Sequence, residues 1–189
     1  MGRRCKCSCG VELPPAAKCL DLVSKKGYAG FGCLAAHEKA KRLAKDAKAI
    51  KKRNIDFKQS VKTKAKWLEE LQIVFNQYVR LRDINDGCIS CDKPKDWIGQ
   101  WHASHYYSRG HSSSLRFNLN NVHKSCSVCN SHLSGNIGEY KPRIIEKIGL
   151  EEFNQITSMK SDIKTFDIDW IRRAIKITRR AIKHKKRDS

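Results

Sequence analysis

The sequence predicts an α+β fold in which a small cysteine-stapled core is flanked by basic α-helices and preceded by a small cysteine-rich module. The chain has 189 residues, enough for one compact domain with such a module. Its nine cysteines fall into two clusters, and segments with helical periodicity lie on both sides of the second cluster. Clustered cysteines in an odd number favour metal binding over disulfide bonds.

The charge of the chain predicts a polyanionic partner. Lys and Arg number 39 against 19 Asp and Glu, which gives a formal net charge of +20. This excess is larger than solubility requires, and nucleic acid is the leading candidate for the partner. The sequence contains no apolar run of membrane-spanning length and no lipidation or secretory signal. We therefore expect no membrane partner and a cytoplasmic protein.

Four regions follow one another along the chain. Residues 1–37 are rich in Cys and Gly and show little periodicity, as expected of a small module held by a metal ion. Residues 38–84 form a basic helical region, and residues 85–141 form the core with the second cysteine cluster. Residues 142–189 form a C-terminal helical region.

Helices are predicted on both sides of the core. The segment Glu38–Arg53 carries eight Lys and Arg residues and a weak apolar stripe, so it is either a nucleic-acid contact or a solvated linker helix. Between Val61 and Asp83, apolar residues recur at the spacing of a helix that packs on the core. Short helices are predicted at Pro142–Ile148 and Leu150–Ile156. A basic C-terminal helix is marked by Ile168, Ile171, Ile175 and Ile182.

The second cysteine cluster predicts a structural zinc site. Its four cysteines form two pairs with a two-residue gap: Cys88 and Cys91, then Cys126 and Cys129. This gap lets both thiolates of a tight turn point at one tetrahedral ion. Four sulfur ligands leave no open position for water, so the predicted zinc ion is structural.

The first cluster predicts a second zinc site in the N-terminal module. Its expected ligands are Cys5, Cys9, Cys33 and His37. The spacing Cys33-x3-His37 runs into the basic helix, which is typical of a turn followed by a first helical turn. Cys7 is an alternative to Cys5, and Cys19 is left without a role. A disordered, cysteine-bearing tail is the other interpretation of this irregular spacing.

The insert between the two cysteine pairs, residues 92–125, predicts a displayed hairpin. The run WHASHYY is typical of a strand, in which alternation places Ala103 and His105 on one face and His102 and Ser104 on the other. A Gly/Ser-rich loop follows, then a second strand. A short helix after Cys126 would carry Asn130 in its first turn. The predicted order is strand, loop, strand, helix.

The run from Cys88 to Tyr140 resembles the NinG/Rap phage recombination endonucleases. The resemblance rests on HY at 105–106, LRFN at 115–118, NVHKSC at 121–126 and CNSHLSGN at 129–136. It implies a zinc-stapled HNH (ββα-metal) core and a metal-dependent nuclease that acts on branched DNA, such as a Holliday junction or a D-loop. It also implies a phage protein at work in the cytoplasm of a bacterial host.

The resemblance also implies roles for individual residues. His105 takes the position of the general base, Asn121 that of the residue that orients the loop or the base, and Asn130 that of a ligand to the catalytic metal. HNH enzymes often place Asp or His directly before the base, where this chain has Ser104. His102 is the candidate ligand in its place, and an exposed strand histidine is the other interpretation. An imidazole ligand favours Mn²⁺ over Mg²⁺.

The sequence also indicates candidate DNA contacts, candidate protein partners and two alternative functions. Arg116 and Lys124 flank the motif and are candidates for DNA phosphate contacts, with ordinary surface charge as the alternative. A symmetric junction favours a homodimer with paired active sites. Phage or host recombination proteins are further candidate partners. Two alternative functions stay open: a non-catalytic zinc protein that binds nucleic acid, and a sequence-preferring HNH nuclease of the restriction or homing kind.

Overall fold

The computed structural model of the protein describes residues 3–7, 9–13 and 22–187. Cys19 lies outside these residues. The chain divides into two compact units, residues 1–62 and residues 63–189. The boundary expected after residue 37 is not observed, because one helix runs through that position.

The first unit is a small hairpin module followed by a long helix. Strand β1 (Arg3–Arg4) pairs antiparallel with β2 (Glu12–Leu13), and a one-turn helix α1 (Leu22–Lys25) precedes α2 (Phe31–Ser60). A small core buries Cys5, Leu13, Val23 and Tyr28. Helix α2 is longer at both ends than the predicted Glu38–Arg53, and the strong helix formers Leu34, Ala35 and Ala36 favour its N-terminal extension. None of its described residues is buried.

The second unit places a two-stranded hairpin between helices. Its elements are α3 (Lys64–Arg82), β3 (Trp101–His105), β4 (Val122–Cys126), a π-helical turn (Val128–His132), α4 (Ile137–Ile148), α5 (Leu150–Ser158) and α6 (Ile168–Lys185). Strands β3 and β4 are antiparallel, with His102 opposite Ser125 and His105 opposite Val122. The predicted order of strand, loop, strand and helix is confirmed, although the turn that carries Asn130 is π-helical. Helix α4 begins five residues before the predicted start and contains Pro142.

Helix α3 forms the central support of this unit, because it packs on both α6 and the hairpin. Trp67 and Leu71 of α3 share a buried cluster with Ile171 and Ile175 of α6. Further along α3, Phe75 and Val79 pack on Val122 of β4. A separate cluster joins α4 and α5 to the loops of the hairpin through Ile89, Leu115, Tyr140, Ile144, Phe153 and Ile156. None of the helices in the described ranges has the length and apolar character needed to span a bilayer.

A buried carboxylate joins the end of α3 to the hairpin. Asp83 is 2 % exposed, and Arg82 Nε and Nη2 donate to its two oxygens at 2.7 and 2.8 Å. The backbone N–H of Lys124 donates to the same carboxylate at 3.0 Å, and Lys147 Nζ lies 3.1 Å away. Burial by itself raises the pKa of Asp83, but the hydrogen bonds and charge of Arg82, aided by Lys147, outweigh it and lower the pKa to about 2. The carboxylate is therefore ionised throughout the physiological range.

We expect Asp83→Ala to lower the free energy of unfolding by about 3 to 5 kcal/mol, because it leaves the cationic partners of a buried pair uncompensated. Urea denaturation of the zinc-loaded protein at pH 7 measures this. Asp92→Ala is the matched control, since Asp92 is 96 % exposed in its side chain and also pairs with an arginine, Arg143. Its expected effect is below about 1 kcal/mol. Equal effects of the two variants would contradict the structural role of Asp83.

Candidate functional site

The second cysteine cluster holds the hairpin of β3 and β4 to the segments on either side of it. The thiol sulfurs of Cys88, Cys91, Cys126 and Cys129 all lie within 4.8 Å of one another. Cys126 is the last residue of β4 and Cys129 lies in the π-helical turn, so the cluster controls where the chain turns after the strand. Cys88 Sγ accepts hydrogen bonds from the backbone N–H groups of Ser90 and Cys126 at 3.4 and 3.2 Å. This set fits the tetrahedral structural zinc site that the spacing predicted.

The electrostatics of the cluster also suit a cation. Burial raises the pKa of the Cys129 and Cys91 thiols. Burial acts in the same direction on Cys88, but hydrogen bonds from Ser125 and from backbone N–H groups outweigh it and lower the pKa of Cys88 to about 7. A buried group of sulfurs cannot hold several negative charges alone, and Zn²⁺ would supply the compensating charge.

The N-terminal unit contains a second group of four thiols, which differs from the expected one. Cys5, Cys7, Cys9 and Cys33 lie within 4.8 Å of one another and could hold a second zinc ion. His37 lies outside this group: its Nδ1 is 3.2 Å from the carbonyl oxygen of Lys6, and its ring packs against Tyr28. Cys7 thus takes the place expected for His37. The sequence offered Cys5 and Cys7 as alternatives, whereas the structure places both in the group.

A cleft of about 530 Å³ lies beside β3. Three residues singled out from the motif line it, His102, His105 and Asn130, together with Arg80 and Arg109. Asn130 Nδ2 lies 3.0 Å from His102 Nδ1, which places the π-helical turn against the strand. The alternation of side chains along a strand predicted that His102 and His105 lie on opposite faces of β3. Both reach the cleft, since its lining includes every residue from His102 to His105 and thus both faces of β3.

His105 is held in a single tautomer. The carbonyl oxygen of Arg116 can only accept, so His105 Nε2 donates to it at 3.0 Å and Nδ1 remains the basic nitrogen. Burial lowers the pKa of His105 to about 4, and the charges of Arg109 and Arg116 act in the same direction against the Arg116 carbonyl bond. The imidazole is therefore neutral at pH 7 and can accept a proton.

Asn121 lies outside the cleft and organises the loop beside it. Its side chain is fully buried, and Oδ1 accepts from the backbone N–H of Tyr107 at 2.8 Å. Its Nδ2 donates to the carbonyl oxygens of Tyr107 at 3.0 Å and of Leu115 at 3.1 Å. Leu115 directly precedes Arg116, whose carbonyl holds His105. This placement fits the orienting role that the resemblance implied for Asn121.

The two cations expected to contact phosphate have partners inside the protein. Lys124 is only 4 % exposed, and its Nζ donates to the carbonyl oxygen of Ile84 at 3.1 Å. Its ammonium also lies over the ring of Trp101, so the long side chain serves packing rather than phosphate binding. Arg116 Nε donates to Gln72 Oε1 at 3.1 Å, and Arg116 is absent from the lining of the cleft.

Sequence reasoning missed two arginines that do line the cleft. Arg80 comes from α3 and is half-buried, and Arg109 comes from the exposed loop after β3. Burial lowers the pKa of Arg80, and its guanidinium makes no hydrogen bond or ion pair with the described part of the chain. In the sequence, Arg80 is marked only by its position directly after Val79, which belongs to the apolar face of α3. A desolvated guanidinium in an open cleft is a ready anion-binding group.

We expect the zinc-loaded protein to contain two zinc ions per chain, one for each group of four thiols. Cys7→Ser should reduce the content to one ion, whereas His37→Ala should keep both, because only Cys7 belongs to the N-terminal group. Elemental analysis of protein purified under reducing conditions measures the stoichiometry. Loss of zinc in His37→Ala with retention in Cys7→Ser would restore the ligand set expected from the sequence.

Comparison with known proteins places the chain in a phage family. The family model described as "Bacteriophage Lambda NinG protein" matches residues 2–188. Protein ninG of Escherichia phage lambda is 39% identical over 101 residues, which cover 53% of this chain and 48% of that protein. Protein ninG of Salmonella phage P22 is 38% identical over the same length, with 53% and 49% covered. The chain thus spans about half the length of the curated relatives it matches. No solved structure matches it. Since the family match covers nearly all its residues, the chain belongs to the family of the bacteriophage lambda NinG protein.

Proposed function

We propose that this NinG-family protein is a metal-dependent, structure-selective DNA endonuclease that hydrolyses phosphodiester bonds in branched recombination intermediates. The observation that carries the proposal is the cleft in which His102, His105 and Asn130 meet beside two arginines. Among the described residues that line the cleft there is no carboxylate. A cleft with this lining attracts a phosphate group and offers it a base.

His105 is the proposed general base. Its Nδ1 would take the proton of a water molecule that attacks the scissile phosphate, and the Arg116 carbonyl keeps that nitrogen free by holding the proton on Nε2. Asn121 acts one step away as a positioning residue, because it fixes the loop that supplies this carbonyl. The low pKa of about 4 keeps the base in its active, neutral form well below pH 7.

His102 and Asn130 would hold the catalytic divalent ion. The two side chains meet through Asn130 Nδ2, which donates to His102 Nδ1 at 3.0 Å, and an ion would replace this contact to be held by an imidazole nitrogen and the amide oxygen. Such an ion supplies charge stabilisation at the phosphate and at the leaving 3′ oxygen. A donor set with an imidazole and without a carboxylate suits Mn²⁺ better than Mg²⁺, which prefers oxygen ligands.

The surrounding charges support binding to the DNA backbone. Arg80 and Arg109 are placed to contact the phosphate in the cleft. Helix α6 buries Ile171, Ile175 and Ile182 and exposes a basic face of Arg172, Arg173, Lys176, Arg180 and Lys183. Contacts to phosphates carry little base information, so recognition would depend on DNA shape more than on sequence.

We expect His105→Ala to lose about 10² to 10⁴-fold in cleavage rate, because it removes the general base. His111→Ala is the matched control, since this histidine is exposed in the loop after β3 and does not line the cleft. The assay is cleavage of a labelled four-way junction and of its matched linear duplex, in Mn²⁺ or Mg²⁺. Junction binding should be the same for the wild type and both variants.

Three outcomes of this assay would redirect the proposal. Binding without cutting by the wild type, under every divalent ion tried, would indicate a zinc-stabilised DNA-binding protein. A strong preference for one linear sequence would indicate a sequence-preferring HNH nuclease. Equal or better activity in Mg²⁺, or an unaffected His102→Ala enzyme, would remove His102 as the metal ligand.

We expect Arg80→Ala to weaken junction binding and to reduce the slope of log affinity against log salt concentration by about 1, the signature of one lost phosphate contact. Arg116→Ala should keep the wild-type slope, because Arg116 is engaged by Gln72. Fluorescence anisotropy titrations at several salt concentrations measure both slopes. A reduced slope in Arg116→Ala alone would return the phosphate contact to Arg116.

A further inference from the structure

Helix α2 contacts the small core of its own unit only through its first two turns, where Cys33, Leu34 and His37 lie, among the described residues. It has 30 residues and no buried residue among them. Isolated helices gain most of their stability from packing an apolar face, so a helix of this length usually has a partner surface. Beyond its first turns the larger apolar side chains are exposed: Leu43 by 59%, Ile50 by 51%, Ile55 by 45% and Phe57 by 68%.

Leu43, Ile50 and Phe57 follow a seven-residue repeat, whereas Phe31 and Ile55 lie outside it. Positions d of the repeat are Ala36, Leu43, Ile50 and Phe57, and positions a are Ala40, Ala47, Asn54 and the C-cap residue Val61. This alternation of three and four residues continues along nearly the whole helix. A helix packed on a globular core follows a period of 3.6 residues, whereas a strict seven-residue period is typical of a supercoiled helix pair. We call this row of eight positions the α2 seam.

We propose that the α2 seam pairs with the same seam of a second copy of this chain, as a parallel two-stranded coiled coil. The direction and the partner follow from Asn54, the one polar residue of the seam. An asparagine at an a position is satisfied by the same asparagine of a parallel, in-register partner, and it selects two strands. Against an unrelated apolar surface its amide would be buried without a partner.

Charges beside the seam support the same register. In this pairing Asp46, at position g, faces Lys51 at position e of the other copy, and this attractive pair occurs twice by symmetry. Arg53 and Lys58 face each other in the next heptad and repel. The helix carries nine Lys and Arg against three acidic residues, so its two copies repel each other overall. Dimerisation should therefore strengthen when salt screens these charges, whereas DNA binding weakens in salt.

The size of the seam predicts a dimer of moderate affinity. A helix of this length is about 45 Å long and about 10 to 12 Å wide, so the two seams together bury on the order of 1,000 Å². That area is at the lower limit of a specific interface, and the alanines at a positions add little apolar surface. The dimer should therefore dissociate on dilution. In a parallel pair both copies of α2 also end on the same side, where the chain continues into α3 after three residues.

The test compares two isoleucines on the same helix. Ile50 lies at a d position of the α2 seam, and Ile55 lies outside it, although the two are similarly exposed at 51% and 45%. Ile50→Glu and Ile55→Glu change charge and helix propensity equally, so only the position in the repeat differs. Full-length, zinc-loaded protein is studied by sedimentation equilibrium at about 5 to 100 µM, in low and in high salt.

We expect a dimer for the wild type and for Ile55→Glu that strengthens in high salt, and a monomer for Ile50→Glu. Circular dichroism confirms that the variants keep their helix. A wild type that is monomeric at every concentration and salt would overturn the proposal, as would equal weakening by both variants. This readout needs neither DNA nor cleavage, so its result is independent of the nuclease proposal.

Discussion

The second unit depends on one constraint, the meeting of four cysteine sulfurs within 4.8 Å at the end of a two-stranded hairpin. A hairpin of two strands is marginally stable by itself. This cluster joins the end of β4 both to the loop before β3, which carries Cys88 and Cys91, and to the turn that follows β4. The turn carries Asn130, and its position against His102 follows directly from the place of Cys129. The cluster therefore fixes the side of the cleft that Asn130 forms.

Buried polar groups also join the elements of the second unit, in addition to the cysteine cluster. Asp83 ties the end of α3 to the backbone of β4, and Asn121 ties the loop after β3 to itself through three hydrogen bonds. Neither side chain lines the cleft. Asn121 acts on it through the backbone of Tyr107 and Leu115, and Leu115 directly precedes Arg116, whose carbonyl selects the tautomer of His105. The position of the candidate base therefore depends on satisfied polar groups as much as on apolar packing.

The basic residues of the chain fall into groups with different contacts. Arg82, Lys124 and Arg116 are engaged by carboxylate, carbonyl or amide oxygens inside the second unit. Arg80 and Arg109 line the cleft, and the exposed face of α6 adds further cations. On α2 the charges surround a narrow seam, which leaves one strip of the helix for a protein partner. Only the cations without an internal partner are available to a polyanion.

The sequence alone determined the features that depend on short spacing: the cysteine pairs, the main helices and the hairpin. Thiols two residues apart meet in any tight turn, and apolar periodicity defines a helix face wherever the helix packs. Tertiary structure decided the rest. It placed Cys7 rather than His37 with the other N-terminal thiols, brought both strand histidines to one cleft and buried Lys124 while leaving Arg80 open to it. The physical reason is that the environment of a charged or ligating side chain is set by residues far away in the chain, and local patterns carry no record of those neighbours.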